Sequence, residues 1–242
     1  MTQKDLADYV RFKTKTDSTT FSDANMLMIA NIEKDEIAKR IIKVNEDYFG
    51  TPALASLVAN QREYAFPLDI LSQIKYVEAK LDGTNWLHLS ELDIVSYGRT
   101  TDESTITSYF QNLEGEAFYD IFRGSLWIYS GTITSVSNGL KLWYMSWPAD
   151  FTDLSEDTRD ISQAPTTTSH GFPKQFHKLL AKKTIIEWKE SQDTPVQLTQ
   201  SEMNWEQEMQ ETLDSIKNQN LDRVVTGALP DPMYRGNNGA DY

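Results

Sequence analysis

Cysteine is absent from the 242 residues, which excludes zinc fingers, iron–sulfur clusters and thiol catalysis. Basic residues are also few. The 23 Lys and Arg stand against 36 Asp and Glu, a formal net charge of −13, which disfavours a protein that wraps DNA through its phosphates. The chain has no run of roughly 18 apolar residues, and residues 1–8 show no apolar signal region. We therefore expect a protein made in the cytoplasm that has no membrane partner.

Glycine and histidine are scarce, and the motifs built on them are missing. Neither phosphate-binding pattern, G-x-x-x-x-G-K-[ST] or G-x-G-x-x-G, occurs, and the serine elbow G-x-S-x-G is absent too. His88, His170 and His177 do not form a metal-binding pattern, because Pro173 separates the last two. We therefore expect no cofactor, no metal and no enzymatic activity.

The N-terminal residues 1–48 show helical periodicity. Ser22 is placed to cap a helix whose first turn contains Asp23, where a negative charge suits the helix dipole. Gly50-Thr51-Pro52 is expected to end this helix, because proline cannot continue its hydrogen bonds. The apolar stripe of the helix consists of Met26, Ala30, Ile37, Ile41, Val44 and Tyr48.

From residue 64 to residue 148 the pattern changes to short runs typical of strands. Asp82-Gly83 and Asn138-Gly139 are dipeptides that tolerate positive φ, so each predicts a hairpin; Arg123-Gly124 and Ser130-Gly131 are weaker signals. A short helix is expected near 103–113. The predicted strands cover 74–81, 86–89, 118–122, 126–129, 132–136 and 140–147, and we expect them to form an antiparallel sheet.

Two helices are expected after an acidic, irregular and solvated connection at 148–173. Pro173 suits the first turn of one of them. The other, at 199–217, has a narrow apolar stripe made of Trp205, Met209, Leu213 and Ile216. Five acids surround that stripe against the single cation Lys217: Glu202, Glu206, Glu208, Glu211 and Asp214.

The predicted fold class is α+β. A helical bundle is formed by residues 1–62 and 165–217, an antiparallel β-rich region is inserted at 63–164, and residues 218–242 make an extended C-terminal arm. Leu229, Met233 and Tyr234 make the arm more apolar than a solvated tail requires, which favours an arm that binds a partner.

Two other functions are consistent with the residues. The tryptophans of the β region, Trp86, Trp127, Trp143 and Trp147, have flat faces on which sugars stack, so a carbohydrate- or receptor-binding module is one alternative, although core packing explains them equally. A hydrolase with an unmarked carboxylate pair is the other, because 36 acids bring many pairs together by chance.

Four segments, read in order, carry a family resemblance. They are Phe21-Ser-Asp-Ala-Asn-Met-Leu, Tyr64-Ala-Phe-Pro-Leu-Asp, Leu140-Lys-Leu-Trp-Tyr-Met-Ser-Trp-Pro-Ala-Asp-Phe-Thr and Pro173-Lys-Gln-Phe-His-Lys-Leu-Leu. Each is short, but together they span most of residues 20–190. In this order the chain resembles the head–tail connector, or portal adaptor, proteins of tailed bacteriophages.

The resemblance implies a structural virion protein of the head–tail neck, present as a homo-oligomeric ring of about twelve copies. Its partners would be the portal protein, a tail-completion or tail-tube protein, and double-stranded DNA in transit. The stripe residues Trp205, Met209, Leu213 and Ile216, with Leu229, Met233 and Tyr234, are expected to contact the portal or a neighbouring subunit. The acids Glu202, Glu206, Glu208 and Glu211 are expected to face the lumen or the portal, and a solvated helix face at the particle exterior is the alternative.

Overall fold

The computed structural model describes residues 1–46, 48–92, 102–111, 117–122, 124–166, 169–192 and 198–221. These residues form an α+β fold with five α-helices and a seven-stranded sheet. The helices are α1 (Gln3–Thr14), α2 (Asp23–Val44), α3 (Glu103–Phe110), α4 (His177–Glu190) and α5 (Leu198–Leu221). The strands are β1 (Gly50–Leu57), β2 (Glu63–Ala65), β3 (Ile70–Ala79), β4 (Leu87–Glu91), β5 (Phe118–Phe122), β6 (Ser125–Tyr129) and β7 (Val136–Ser146).

Side-chain caps fix the starts of the first two helices. Thr2 and Asp5 form a reciprocal capping box at α1. The Ser22 hydroxyl accepts a hydrogen bond from the backbone N–H of Asn25, so the predicted cap of α2 is confirmed. Each cap satisfies amide groups that lack a partner within the helix.

Strand β1 occupies the position where the sequence predicted the end of a helix. Helix α2 already ends at Val44, and the segment Gly50-Thr51-Pro52 pairs antiparallel with β7. Proline is tolerated there because β1 is an edge strand of the sheet. The prediction missed this strand because its short alternating pattern follows a long helix directly, and part of the range 1–62 therefore belongs to the sheet.

The sheet is mixed, which corrects the antiparallel prediction. Its strand order is β1-β7-β3-β4-β5-β6-β2, and β4 pairs parallel with β5 through Ser90 opposite Phe118. Parallel neighbours need a crossover connection, and the connection between β4 and β5 contains the predicted short helix α3.

The two strong turn signals have different outcomes. Asp82-Gly83 joins β3 to β4 as predicted, with Gly83 at φ +85°. Asn138 also has a positive φ of 51°, but it lies inside β7, where the register with β1 shifts between Ala55 and Leu57. The predicted Asn138-Gly139 hairpin is therefore wrong. The dipeptide forms a bulge, which also accommodates positive φ.

Two hydrophobic clusters build the main core. One joins strands from both halves of the sheet, so that Val77 and Leu142 share it with Leu126 and Ile128. The other joins the helices, and α4 contacts α1, α2 and α5.

The connection at 148–173 is irregular, as predicted, but it is not simply solvated. Four of its side chains are at most 6% exposed within the helical cluster: Phe151, Leu154, Ile161 and Phe172. The backbone of Phe151 exchanges two hydrogen bonds with the Asn31 side chain of α2. The acidic residues of this segment lie between its buried apolar residues. Its acidic composition therefore predicted a solvated segment, although part of the segment is buried.

Helix α5 extends to Leu221, beyond the predicted boundary at 217, so residues 218–221 are helical. Residues 222–242 of the predicted arm lie outside the described residues. In the described part of the chain, no helix combines the length and the apolar character that a membrane span needs.

Candidate assembly surfaces

The apolar stripe of α5 faces the other helices of its own subunit. Trp205, Met209, Leu213 and Ile216 are each at most 5% exposed and belong to the helical cluster. We therefore reassign these four residues from an interface with the portal or a neighbour to the core of the subunit, because α2 and α4 already cover them. The other predicted interface residues, Leu229, Met233 and Tyr234, lie outside the described residues.

Trp205 attaches α5 to two other helices. Its indole Nε1–H donates a hydrogen bond of 2.8 Å to the backbone carbonyl of Leu179 on α4. The Arg40 guanidinium of α2 lies 5.1 Å from the ring centroid, and the Lys183 ammonium of α4 lies 5.6 Å from it. Buried packing, a satisfied N–H and cation–π contacts together hold the N-terminal half of α5 in place.

The four acids predicted to face the lumen have different environments. Glu206 accepts two hydrogen bonds from Arg40, which lower the pKa of its carboxyl below the ordinary value. Glu208 accepts hydrogen bonds from Lys182 on α4. Glu202 is half-buried, and its hydrogen bond to Glu190 raises the pKa of the Glu190 carboxyl. These three acids therefore have partners within the subunit.

Glu211 lies on the outward face of α5, opposite the buried stripe. It is exposed and accepts a hydrogen bond from Gln207, one turn earlier. Asp214 is also exposed and accepts one from Gln210. Met203, at 62% exposed, is the large apolar side chain on this face. The outward surface of α5 is therefore acidic and amide-rich, and Glu211 is the predicted lumen-facing acid that fits it best.

A cleft of about 280 Å³ opens between α1, α4 and α5. Its apolar lining includes Ile185 and Ile186 of α4 and Trp205 of α5, all at most 9% exposed. Its polar lining is basic at three positions, Lys13, Lys182 and Lys189, and includes Ser201 and Asn204. We call this feature the basic cleft; it has an apolar floor and cationic walls in a strongly acidic protein.

An exposed apolar pair lies on α2. Met28 is 57% exposed and Ile32 is 54% exposed, and residues four apart are neighbours on a helix surface. Asp35 and Glu36 follow within about one turn. We call Met28, Ile32 and these two acids the α2 ridge.

The α2 ridge lies on the side of its helix that faces away from the helical core. On α4, Ile185 lines the cleft, whereas Glu187 acts electrostatically on Glu33 of α2; two residues correspond to about 200° around a helix. On α2, Met28 is two residues from the buried Ala30, so it points away from the helical core.

The outer face of the sheet holds an aromatic group. Tyr76 and Trp143 are opposite each other on β3 and β7, with ring centroids 5.3 Å apart, and they line a cleft of about 560 Å³. Trp86 joins them through Lys141, whose ammonium is 4.0 Å from the Trp86 ring centroid.

The four tryptophans of the sugar-binding alternative do not form one surface. Trp127 packs in a small cluster beside α3, and Trp147 packs against the helical core. Only Trp86 and Trp143 of the four come together on the outer face of the sheet.

The three histidines are dispersed. His177 is buried and its Nε2 lies 2.9 Å from the Phe172 carbonyl oxygen, His170 packs edge-on to Phe49, and His88 lies on β4 beside Tyr76. Among the described residues, no group of three or more His, Asp or Glu side chains is arranged to hold a metal ion.

The sequence prediction missed both the α2 ridge and the basic cleft. Met28 and Ile32 have a readable signal, because they are four apart and lie off the buried stripe of their helix. Lys182 and Lys189, seven apart on one face of α4, are a weaker signal. Lys13 has no signal of this kind in the sequence, because α1 is distant from α4 in sequence and contacts it only in the folded chain.

Comparison with known proteins gives one family. A family model described as SU10 adaptor protein, which represents phage head–tail adaptors, matches residues 1–231. A search of curated proteins returned no match.

Proposed function

The chain belongs to the SU10 adaptor protein family, and we propose that it forms a ring beneath the portal that joins a phage head to its tail. About twelve copies form the ring, and each contacts its neighbours through two different faces, as cyclic symmetry requires. The distal partner is a tail-completion or tail-tube protein. The protein is made in the host cytoplasm, has no catalytic role, and becomes part of the virion.

The observation that carries this proposal is the length of the family match. Residues 1–231 include every described helix and strand, so the match covers the helical unit and the sheet together. The segments that resemble connector proteins also fall on structural landmarks: Phe21 precedes the cap of α2, Leu140 lies in β7, and Pro173 precedes α4.

The charge of the chain suits a channel through which DNA slides. Fixed cations on the wall would bind phosphates and slow the duplex, because each contact releases counterions from the DNA. The outward face of α5 instead carries Glu211 and Asp214, in a chain with a net charge of −13. We place this face toward the lumen or toward the portal.

The segment after α5 supplies the contact with the portal or an adjacent subunit. Residues 222–242 include Leu229, Met233 and Tyr234, apolar side chains that gain from burial in a partner. Because α5 ends at Leu221, deletion of residues 222–242 leaves all described elements intact. Attachment to the portal should then be lost while the melting temperature of the subunit is unchanged.

Negative-stain imaging of the purified protein with the portal protein of the same phage tests the proposal. Extra ring density at one end of the portal, sharing its symmetry, is the expected result. The chain deleted after Leu221 is the matched control and should give bare portals. Well-formed portals without added density at a large excess of the full chain would overturn the proposed ring.

A further inference from the structure

We propose that the outer face of the sheet binds a proline-containing segment, residues 229–234, from the C-terminal arm of the next copy of this chain. We call the four side chains that form the binding surface the aromatic face: Tyr76, Trp86, His88 and Trp143. The inference rests on the proposed ring and names the two surfaces through which neighbouring subunits are joined.

Three neighbouring strands bring the aromatic face together. Trp143 of β7 is opposite Tyr76 of β3, with ring centroids 5.3 Å apart and ring planes inclined by 27°. His88 comes from β4, on the other side of β3, and its ring centroid is 5.7 Å from that of Tyr76. All of these rings are at least partly exposed, and Trp86 is 37% exposed. Proline-rich segments bind to grooves lined by aromatic rings in this way.

The aromatic face is ordered by contacts within the sheet. The Glu78 carboxylate accepts hydrogen bonds of 3.0 Å from the Trp143 indole N–H and 2.9 Å from the Lys141 ammonium. The Lys141 ammonium also lies 4.0 Å from the Trp86 ring centroid. A ligand therefore meets rings whose orientations are already set, and its binding costs little side-chain entropy.

The arm contains a segment with the matching chemistry. Pro230-Asp231-Pro232 lies between Leu229 and the pair Met233-Tyr234, and it is the only Pro-x-Pro in the sequence. Proline restricts φ and disfavours helix at the residue before it, so this sequence favours the extended polyproline conformation. A segment that already favours its bound conformation also loses little entropy on binding.

The length of the arm lets this segment reach a neighbouring subunit. Helix α5 ends at Leu221, and Pro230 follows nine residues later. Nine extended residues span about 30 Å, which exceeds the radius of gyration of about 18 Å expected for a compact chain of this size. A cyclic ring requires two different surfaces on each subunit, and a copy bound through its arm still has its own aromatic face for the next copy.

A peptide titration tests the recognition without the portal. The probe is a synthetic peptide of residues 225–236, and the receptor is the full chain with Pro230→Ala and Pro232→Ala, so that its own arm does not compete. The NMR signal of the Trp86 indole N–H should shift until it saturates, whereas that of the buried Trp205 should not shift. The same peptide with both prolines replaced by alanine should bind about tenfold more weakly.

A variant of the aromatic face and a matched control locate the site. Tyr76→Ala in the same receptor should weaken peptide binding about tenfold, and Trp143→Leu replaces it if circular dichroism shows that Tyr76→Ala unfolds. Tyr109→Ala removes an exposed aromatic ring on α3 and should leave binding unchanged. Absence of a saturable shift, equal binding of the proline-free peptide, or unchanged binding by the folded face variant would overturn the recognition.

A mixing experiment decides whether the arm binds another copy. The chain deleted after Leu221 has only the aromatic face, and the full chain with the face variant has only the arm. Above the dissociation constant of the peptide, the two should form a one-to-one complex in sedimentation, and neither should associate alone. Peptide binding without this complex would assign the arm to its own subunit and overturn the docking between copies. Absence of ring density on the portal with the unmodified chain is a different outcome, since it overturns the ring and leaves the peptide result unchanged.

Discussion

Arg40 on α2 donates two hydrogen bonds, of 2.5 and 2.8 Å, to the two carboxylate oxygens of Glu206 on α5. This fork joins helices that are distant in sequence and lies at the edge of the helical core. Because both side chains are more than a third exposed, water and salt weaken the pair.

A double-mutant cycle measures this pair. Arg40→Ala and Glu206→Gln should each destabilise the subunit, and their coupling in urea unfolding should be about 0.5–1 kcal/mol. The coupling should decrease in 1 M salt because screening weakens exposed charges. A coupling near zero at low salt would show that the pair contributes nothing to α5 docking.

Trp205→Ala should destabilise the subunit strongly. The indole is 4% exposed, and loss of a buried tryptophan typically costs about 3–5 kcal/mol. Trp205→Phe keeps most of the packing but removes the hydrogen bond from the indole to the Leu179 carbonyl, so a smaller loss of about 1 kcal/mol is expected. Thermal unfolding of both variants checks the order, and equal melting temperatures for the native protein and Trp205→Ala would contradict the core assignment.

Glu33 makes the stability of the helical unit depend on pH. Burial raises the pKa of this α2 carboxyl to about 7 from the ordinary 4.5, although Lys183 nearby opposes the shift. The folded state therefore takes up a proton at a pH where the unfolded chain does not, so stability rises as pH falls from about 7 toward 4.5.

Glu33→Gln removes this titration. At pH 8 the variant should be more stable than the native protein by on the order of 2 kcal/mol, and its stability should change less between pH 8 and 5. Glu63→Gln, at an exposed site on β2, is the control and should keep the native pH dependence. Urea unfolding across this pH range would refute the assignment if both variants behaved alike.

Arg62→Ala should release α3 from the sheet. The Arg62 side chain is 4% exposed, and it donates hydrogen bonds to Glu103 and Thr107 of α3 and to the backbone carbonyls of Ser130 and Gly131. Removing one partner of a buried ion pair typically costs about 3–5 kcal/mol.

Hydrogen exchange of the amides of residues 103–110 reports on this release. Their exchange should accelerate in Arg62→Ala and also in Arg62→Lys, because an ammonium cannot reproduce the planar fork of the guanidinium. Lys75→Ala, which removes a cation paired with the exposed Glu46, is the control and should leave α3 protected. Native protection in Arg62→Ala would mean that other contacts hold α3.

Local signals in the sequence predicted local structure well. Ser22 predicted the start of α2, and Asp82-Gly83 predicted a hairpin, because both depend only on neighbouring residues. The hairpin predicted at Asn138-Gly139 was wrong for the same reason. The dipeptide reports a tolerance for positive φ, and only the pairing with β1 decides between a hairpin and a bulge.

Features that depend on distant partners were beyond sequence reasoning. The stripe of α5 was identified correctly as apolar, but periodicity does not say whether the surface covering it belongs to the same chain. Trp205 was therefore predicted as an interface residue, whereas in the structure Leu179 and Arg40 of the same subunit lie beside it. The basic cleft was similarly hidden, since Lys13 and Lys189 meet only after folding.

The chain order of the two cores sets an order of events during synthesis. The sheet uses the contiguous residues 50–146, whereas the helical core joins α1 and α2 to α4 and α5 at the other end of the chain. At ribosomal speeds of about 5–20 residues per second, the first two helices wait on the order of 10 s for the last two. The sheet is thus complete while the apolar faces of α1 and α2 are still uncovered. A nascent chain that stalls before α4 therefore leaves these apolar faces exposed to other chains, which makes it the form of this protein most prone to aggregate.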